Sequence, residues 1–191
     1  MTTSHYQTET FTSENFVESA GTILFHRTTR SICIMRDINR NEYILPKGRR
    51  NVGESRHDTA IRETTEETGI PCRLLPISIR SRVCPWDKKD VPDEARYFGG
   101  VCEPISVQMR RIGEGEMKLI WWYVAAVNMM KPAGRCEDGF EVEWYGYEEV
   151  LGKLTFQNDR ELVARAIERV VSRTFIPGDI SEALYPAITG K

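Results

Sequence analysis

Three carboxylates define the chemistry open to this chain. Glu63, Glu66 and Glu67 fall within SRHDTAIRETTEET, a stretch that reads as a helix from Ser55 to Thr68. At 100° per residue, Glu66 lies about 60° to one side of Glu63 and Glu67 about 40° to the other. The three side chains therefore share an arc of about 100°, where like charges repel and weaken the helix. Gly69 stands where a helix C-terminus is expected, so the charges crowd into the last turns, where the macrodipole disfavours them. A Glu cluster ordinarily means a solvated acidic face, but a sequence shaped for stability alone would put Lys or Arg in that turn. A hard divalent cation removes the penalty. Mg²⁺ suits a site made of carboxylates and substrate phosphates, and Mn²⁺ is the alternative.

The carboxylates belong to a longer pattern of fixed spacing. Gly48 is separated by five residues from Glu54, which is separated by seven from Arg62-Glu63; Glu66-Glu67, Gly69 and Ile70 complete it. This pattern resembles the Nudix box, the signature of Nudix hydrolases, at every charged and glycine position. Thr64 departs from it, since the family usually has an aliphatic residue there; its added hydroxyl is expected to loosen packing beneath the helix. The resemblance implies an α/β protein with the Nudix fold, an α/β/α sandwich around a mixed β-sheet. It also implies hydrolysis of a phosphoanhydride in a diphosphate linked to a further moiety. Carried over residue by residue, Glu63, Glu66 and Glu67 would hold metal, with the backbone carbonyl of Lys47 as an extra ligand. Glu63 or Glu67 could activate the attacking water, as could a carboxylate from a later loop. Outside the box Glu137 is favoured over Glu141 and Glu143, which read as an exposed strand face. Glu54 and Arg62, two turns apart, together with Gly48, would fix the loop and orient the ligands.

Composition bounds these expectations. At 191 residues one domain with an insertion is the natural size. A net charge of −2 and a pI near 6.0 advertise no basic field for nucleic acid or membrane; capped RNA is the one nucleic-acid substrate left open. Five cysteines with no Cys-x-x-Cys pair point to free thiols in a cytoplasmic or nuclear compartment rather than to a disulfide framework. The polar N-terminus has no apolar h-region.

Along the chain, residues 1–15 read as a flexible lead-in, 16–175 as the hydrolase domain and 176–191 as a tail. Val17–His26 and Ser31–Arg36 read as strands joined by Arg27-Thr28-Thr29-Arg30, followed by a short strand Glu42–Leu45. Pro46 opens the box loop. Cys72–Arg82 reads as one strand. Residues 83–117 are irregular and read as a lid or substrate-facing insertion, with some strand between Tyr97 and Val107. Leu119–Met129 is the strongest buried strand, and Phe140–Tyr147 another. Asn158 and Glu161 resemble a capping box, opening an amphipathic helix to about Phe175.

Substrate recognition is expected from local charge. Leu45-Pro46-Lys47-Gly48 and Leu154-Thr155-Phe156 resemble the Nudix branch acting on diadenosine polyphosphates or diphosphoinositol polyphosphates, fungal proteins among them. Arg36, Lys47, Arg49 and Arg50 are the candidate phosphate ligands, because guanidinium grips phosphate with a two-pronged fork. Trp86 is the candidate to stack on a base, with loop anchoring as the competing reading. Of Trp121-Trp122, one ring should enter the core and the other face the opposite side of the sheet.

Overall fold

Phe16–His26 (β1) and Glu116–Val127 (β9) are largely buried on both faces, and such strands need cover on both sides. In the computed structural model, which describes residues 5–171, they pair in parallel from Phe16–Met117 to Phe25–Ala126. Ser31–Asp37 (β2) returns antiparallel to β1 through a turn in which Arg30 has a positive φ of 54°. Glu42–Ile44 (β3) pairs with β2, and Lys47–Arg49 (β4) pairs antiparallel with the first half of β1. With Cys72–Leu74 (β5), Ser106–Gly113 (β8) and Phe140–Gly146 (β10), they form an eight-stranded mixed sheet. Ile77–Ser81 (β6) and Arg96–Val101 (β7) make a separate two-stranded sheet.

Helix Arg56–Thr68 (α1) covers one face, packing Ala60 against Ala20 and Tyr123. Short helix Val150–Lys153 (α2) and helix Gln157–Val171 (α3) cover the other, where Val150, Leu162, Val163 and Ala166 join Ile23, Phe25, Ile120 and Trp122. The result is the expected α/β/α sandwich. Pleat alternation then assigns the side chains. Ser19, Ile120 and Trp122 face α3, whereas Glu18, Ala20, Trp121 and Tyr123 face α1.

Several expectations are corrected. Pro46 does not open a bare loop; β4 follows at once. Cys72–Arg82 is broken at Leu75-Pro76 and its halves enter different sheets, because proline cannot donate to a ladder. Nearly half of 83–117 is strand: β7, β8 and a tight turn around Gly115 (φ 71°) lead into β9, while 83–95 and 102–105 stay irregular. The capping box does not form, since α3 starts at Gln157, whose side-chain amide donates to Glu161. The expected extension of that helix to Phe175 and the tail at 176–191 lie outside the described residues, as do residues 1–4. The hydroxyl of Thr64 loosens nothing: it lies 2.9 Å from that of Thr22, both residues being fully buried, so its polarity is satisfied across the helix–sheet interface.

Candidate active site

The box helix starts and stops where its residues dictate. Ser55 accepts a hydrogen bond from the Asp58 amide at the N-cap, and Gly69 closes the other end at φ 71°. A side chain at Gly69 would meet the backbone of Gly134 and Arg135 at 2.6–2.8 Å. Glycine there lets the 131–139 loop lie on the helix end. The Gly134 amide donates to the Gly69 carbonyl (2.6 Å), and the Glu137 amide to the Glu67 carbonyl (3.2 Å). Glu137 is thereby brought beside Glu67.

Glu67 accepts a 2.7 Å hydrogen bond from the Lys47 amide, which points away from β1. Burial pushes its carboxyl up to about 7; the Lys47 ammonium and amide oppose the rise, and Glu63 and Glu137 add to it. Glu63 lies against Gly48, where a Cβ would come within 1.9 Å of its carboxylate oxygen. Gly48 thus holds space for a carboxylate, a contact that the fixed spacing of the box leaves invisible in sequence.

Arg62 ties these parts together. Its fork takes both oxygens of Glu54 at 2.7 and 2.9 Å, and its other edge reaches Glu63 (2.7 Å), Glu66 (2.9 Å) and the Arg49 carbonyl (2.9 Å). The guanidinium holds the Glu54 carboxyl down at about 2, and these acids raise the pKa of Arg62 in return. One side chain therefore fastens the 49–54 loop to the carboxylate face.

Among the described residues, no group of three or more His, Cys, Asp or Glu is gathered tightly enough to hold a metal ion. The donor set nonetheless fits one. Glu67 is a carboxylate whose pKa burial raises, with Lys47 as the cation opposing the rise and Glu63 and Glu137 adding to it. Glu63 and Glu66 turn to the Arg62 guanidinium, the cation within their reach. All the donors are hard oxygens on flexible stems, suited to Mg²⁺ or Mn²⁺.

The other candidates are distributed unevenly. Arg49 and Arg50 are neighbours that point to opposite faces of the sheet. Arg50 is bound to Glu18 (3.0 Å) and to the Glu54 carbonyl (3.0 Å), whereas Arg49 has no ion pair among the described residues and lies near Lys118. Arg36 pairs with Asn41 and Glu141, and Trp86 is 98% exposed in the irregular stretch; both stand apart from the box carboxylates. Trp122 fills the core, while Trp121 lies across the sheet from it with the Arg56 guanidinium 4.1 Å above its ring. Glu18, unsuspected in sequence, gathers Arg50, Arg56 and Trp121 Nε1; its one clue was a charge inside an apolar strand. These residues border a groove of about 610 Å³ at the start of α1, which Glu54 also lines but Glu63, Glu66 and Glu67 do not.

A NUDIX domain family model matches residues 16–166. Solved structures agree in fold. A NUDIX hydrolase from Nitrosomonas europaea superposes with a TM-score of 0.53 at 14% identity, over 80% of this chain and 90% of that one. A NUDIX-family hydrolase from Clostridium perfringens gives 0.54 at 16%, over 79% and 95%. The C. elegans Ap4A hydrolase gives 0.51 at 18%, over 79% and 96%. Spanning most of the described residues, the match with that model makes the chain a member of the Nudix family, whose enzymes are pyrophosphohydrolases that generally use divalent metal ions.

Proposed function

We propose that this chain is a Mg²⁺- or Mn²⁺-dependent pyrophosphohydrolase of polyphosphorylated small molecules, with diadenosine polyphosphates and diphosphoinositol polyphosphates as the leading substrates. The observation that carries this reading is Glu67: a carboxylate buried against the Lys47 amide, undercompensated in charge, with Glu63 and Glu66 on the same helix face. A module that only binds ligands has no evident need to sustain that cost. The likeness to an Ap4A hydrolase supports the fold and no more.

Glu63, Glu66, Glu67 and the Lys47 carbonyl would hold a divalent cation, which would supply charge neutralisation at the phosphate oxygens and a lower pKa for water. The chain's own residues do the rest. Gly48 leaves the Glu63 carboxylate in place, and Arg62 keeps Glu54, Glu63 and Glu66 oriented. Glu137, tethered through its amide to the Glu67 carbonyl, is our choice to accept the proton of the attacking water. The water oxygen then bonds to phosphorus, the bridging P–O bond breaks, and the leaving phosphate departs with the electron pair. Arg49 and Lys47 offset the charge of the phosphate chain.

The test is phosphate release from a panel of diadenosine tetraphosphate, a diphosphoinositol polyphosphate, a nucleotide sugar, NADH and capped RNA, with and without Mg²⁺. Metal-dependent turnover of a polyphosphate, lost in Glu67→Gln while the fold persists, is the expected result. No turnover of any diphosphate at high enzyme concentration would reassign the chain as a ligand-binding Nudix module.

A further inference from the structure

The rows of the sheet bring together a set of polar residues that the box does not include. On the face that carries α3, strand register aligns Arg49, Ser19, Ile120 and Gln108 in one row across β4, β1, β9 and β8. The row beside it runs from Lys47 through Gly21 to Trp122 and Ser106. On the other side, Lys118 faces Arg110. Four cations, Lys47, Arg49, Arg110 and Lys118, thus ring one patch. They sense one another: burial first, then Lys47, Arg110 and Arg49, pull the Lys118 ammonium below its ordinary value, and Glu67 opposes them. The patch therefore adjoins the box carboxylates.

An independent observation falls in the same place. Ser19 Oγ, Trp122 Nε1 and Asp159 Oδ1 are closed to solvent and have no hydrogen-bond partner. Their residues are only 1%, 1% and 4% exposed. Ser19 and Trp122 occupy the adjacent rows just described, and Asp159 sits in the first turn of α3, bonded to Gln108 and near Arg110 and Lys47. Leaving a buried polar group unpaired is costly, and native interiors largely avoid it. Three such atoms beside four cations make this patch the candidate surface for a polar, anionic ligand.

We propose that this patch is the recognition site for the part of the substrate beyond the cleaved bond, and that it selects a phosphate chain ending in a hydrogen-bond donor, such as a nucleobase amine or a ribose hydroxyl. The inference rests on the pyrophosphohydrolase reading and narrows it to dinucleoside polyphosphates. Lys47, Arg49, Arg110 and Lys118 take the phosphates. Asp159 offers an acceptor, and Ser19 and Trp122 offer donors. A diphosphoinositol polyphosphate bears phosphates around its whole ring and presents no uncharged amine or alcohol group; the Asp159 carboxylate repels it. Closure of the three atoms means that the site opens by side-chain motion, and its long Lys and Arg walls can supply that motion.

The test is equilibrium binding to the full chain in chelator-treated buffer, where no turnover interferes. The probes are diadenosine tetraphosphate and inositol hexakisphosphate, the latter being anionic all round its ring and free of amine and alcohol groups. Wild type should bind the dinucleotide at least about tenfold more tightly. Lys118→Gln should weaken both ligands, by about tenfold, as expected for a lost charge-assisted contact. Asp159→Asn keeps the size and removes the negative charge, so it should weaken the dinucleotide and strengthen the inositol ligand. That crossing is a signature a merely structural aspartate would not give. Preference of wild type for inositol hexakisphosphate, an unchanged Lys118→Gln, or parallel shifts in Asp159→Asn would overturn the proposal. Failure of the wider reading would appear elsewhere, as absent turnover in the metal-supplemented panel, whatever these affinities are.

Discussion

Two glycines of the box region should respond to the same substitution in opposite ways. A Cβ at Gly48 would lie 1.9–2.5 Å from the Glu63 carboxylate atoms. Ordinary contact begins near 3.4 Å, so that carboxylate must retreat by about 1.5 Å. It is the far end of a flexible side chain, so Gly48→Ala should cost little stability, below about 1 kcal/mol. The same retreat should be severe for chemistry, because a misplacement of about 1 Å at a catalytic centre can cost about 100-fold in rate. At Gly21 the Cβ would meet the Pro46 carbonyl at 2.2 Å, Lys47 Cβ at 2.5 Å and Trp122 Cζ3 at 2.8 Å. Two of these belong to backbone or its first side-chain atom, and the third to a core ring; none can swing away. Gly21→Ala should therefore destabilise by about 1–3 kcal/mol or more through overpacking. The assay pairs urea unfolding with kcat/KM across a Mg²⁺ titration. A Gly48→Ala variant with wild-type activity and metal response would refute the claim that Gly48 makes room for a metal-binding Glu63.

Other consequences follow from the same geometry. In metal-free protein, burial raises Glu67 from 4.5 to about 7, so across this window the folded state keeps a proton that the unfolded chain releases. Stability should fall as pH rises from about 4.5 to 7, by at most about 3 kcal/mol; urea unfolding in chelator should lose this slope in Glu67→Gln. Metal binding must expel that proton, so Mg²⁺ should raise Tm by mass action, and more strongly above pH 7 than below it; an equal response in Glu67→Gln would place the cation elsewhere. Arg62→Lys cannot reproduce the fork on Glu54, and should loosen the 49–54 loop, read as faster tryptic cleavage after Arg49 and Arg50 with lower kcat. Arg49→Ala should raise KM at unchanged Tm, whereas Arg50→Ala, losing Glu18, should lower Tm first; the reverse pattern would exchange their roles.

What the sequence determined on its own was local. Spacing alone set Glu63, Glu66 and Glu67 on one arc, because helix geometry depends on nothing beyond neighbouring residues. Ser55 and Gly69 marked the helix ends for the same reason, and the doubly apolar strands called for a sheet covered on both sides. Relations across the fold were not legible. Glu18 and Arg50 are 32 positions apart and meet only because β4 pairs with β1. Lys118, just before the apolar run of β9, is not singled out by the sequence, and register sets it beside Arg110 and near Lys47. The equivalence of Arg49 and Arg50 dissolved once the pleat sent them to opposite faces. Thr64 looked like a packing flaw until Thr22, 42 positions away, supplied its hydrogen bond. A sequence records which groups are available. Which of them share a surface, and which are left buried without a partner, is decided by long-range pairing that no local pattern encodes.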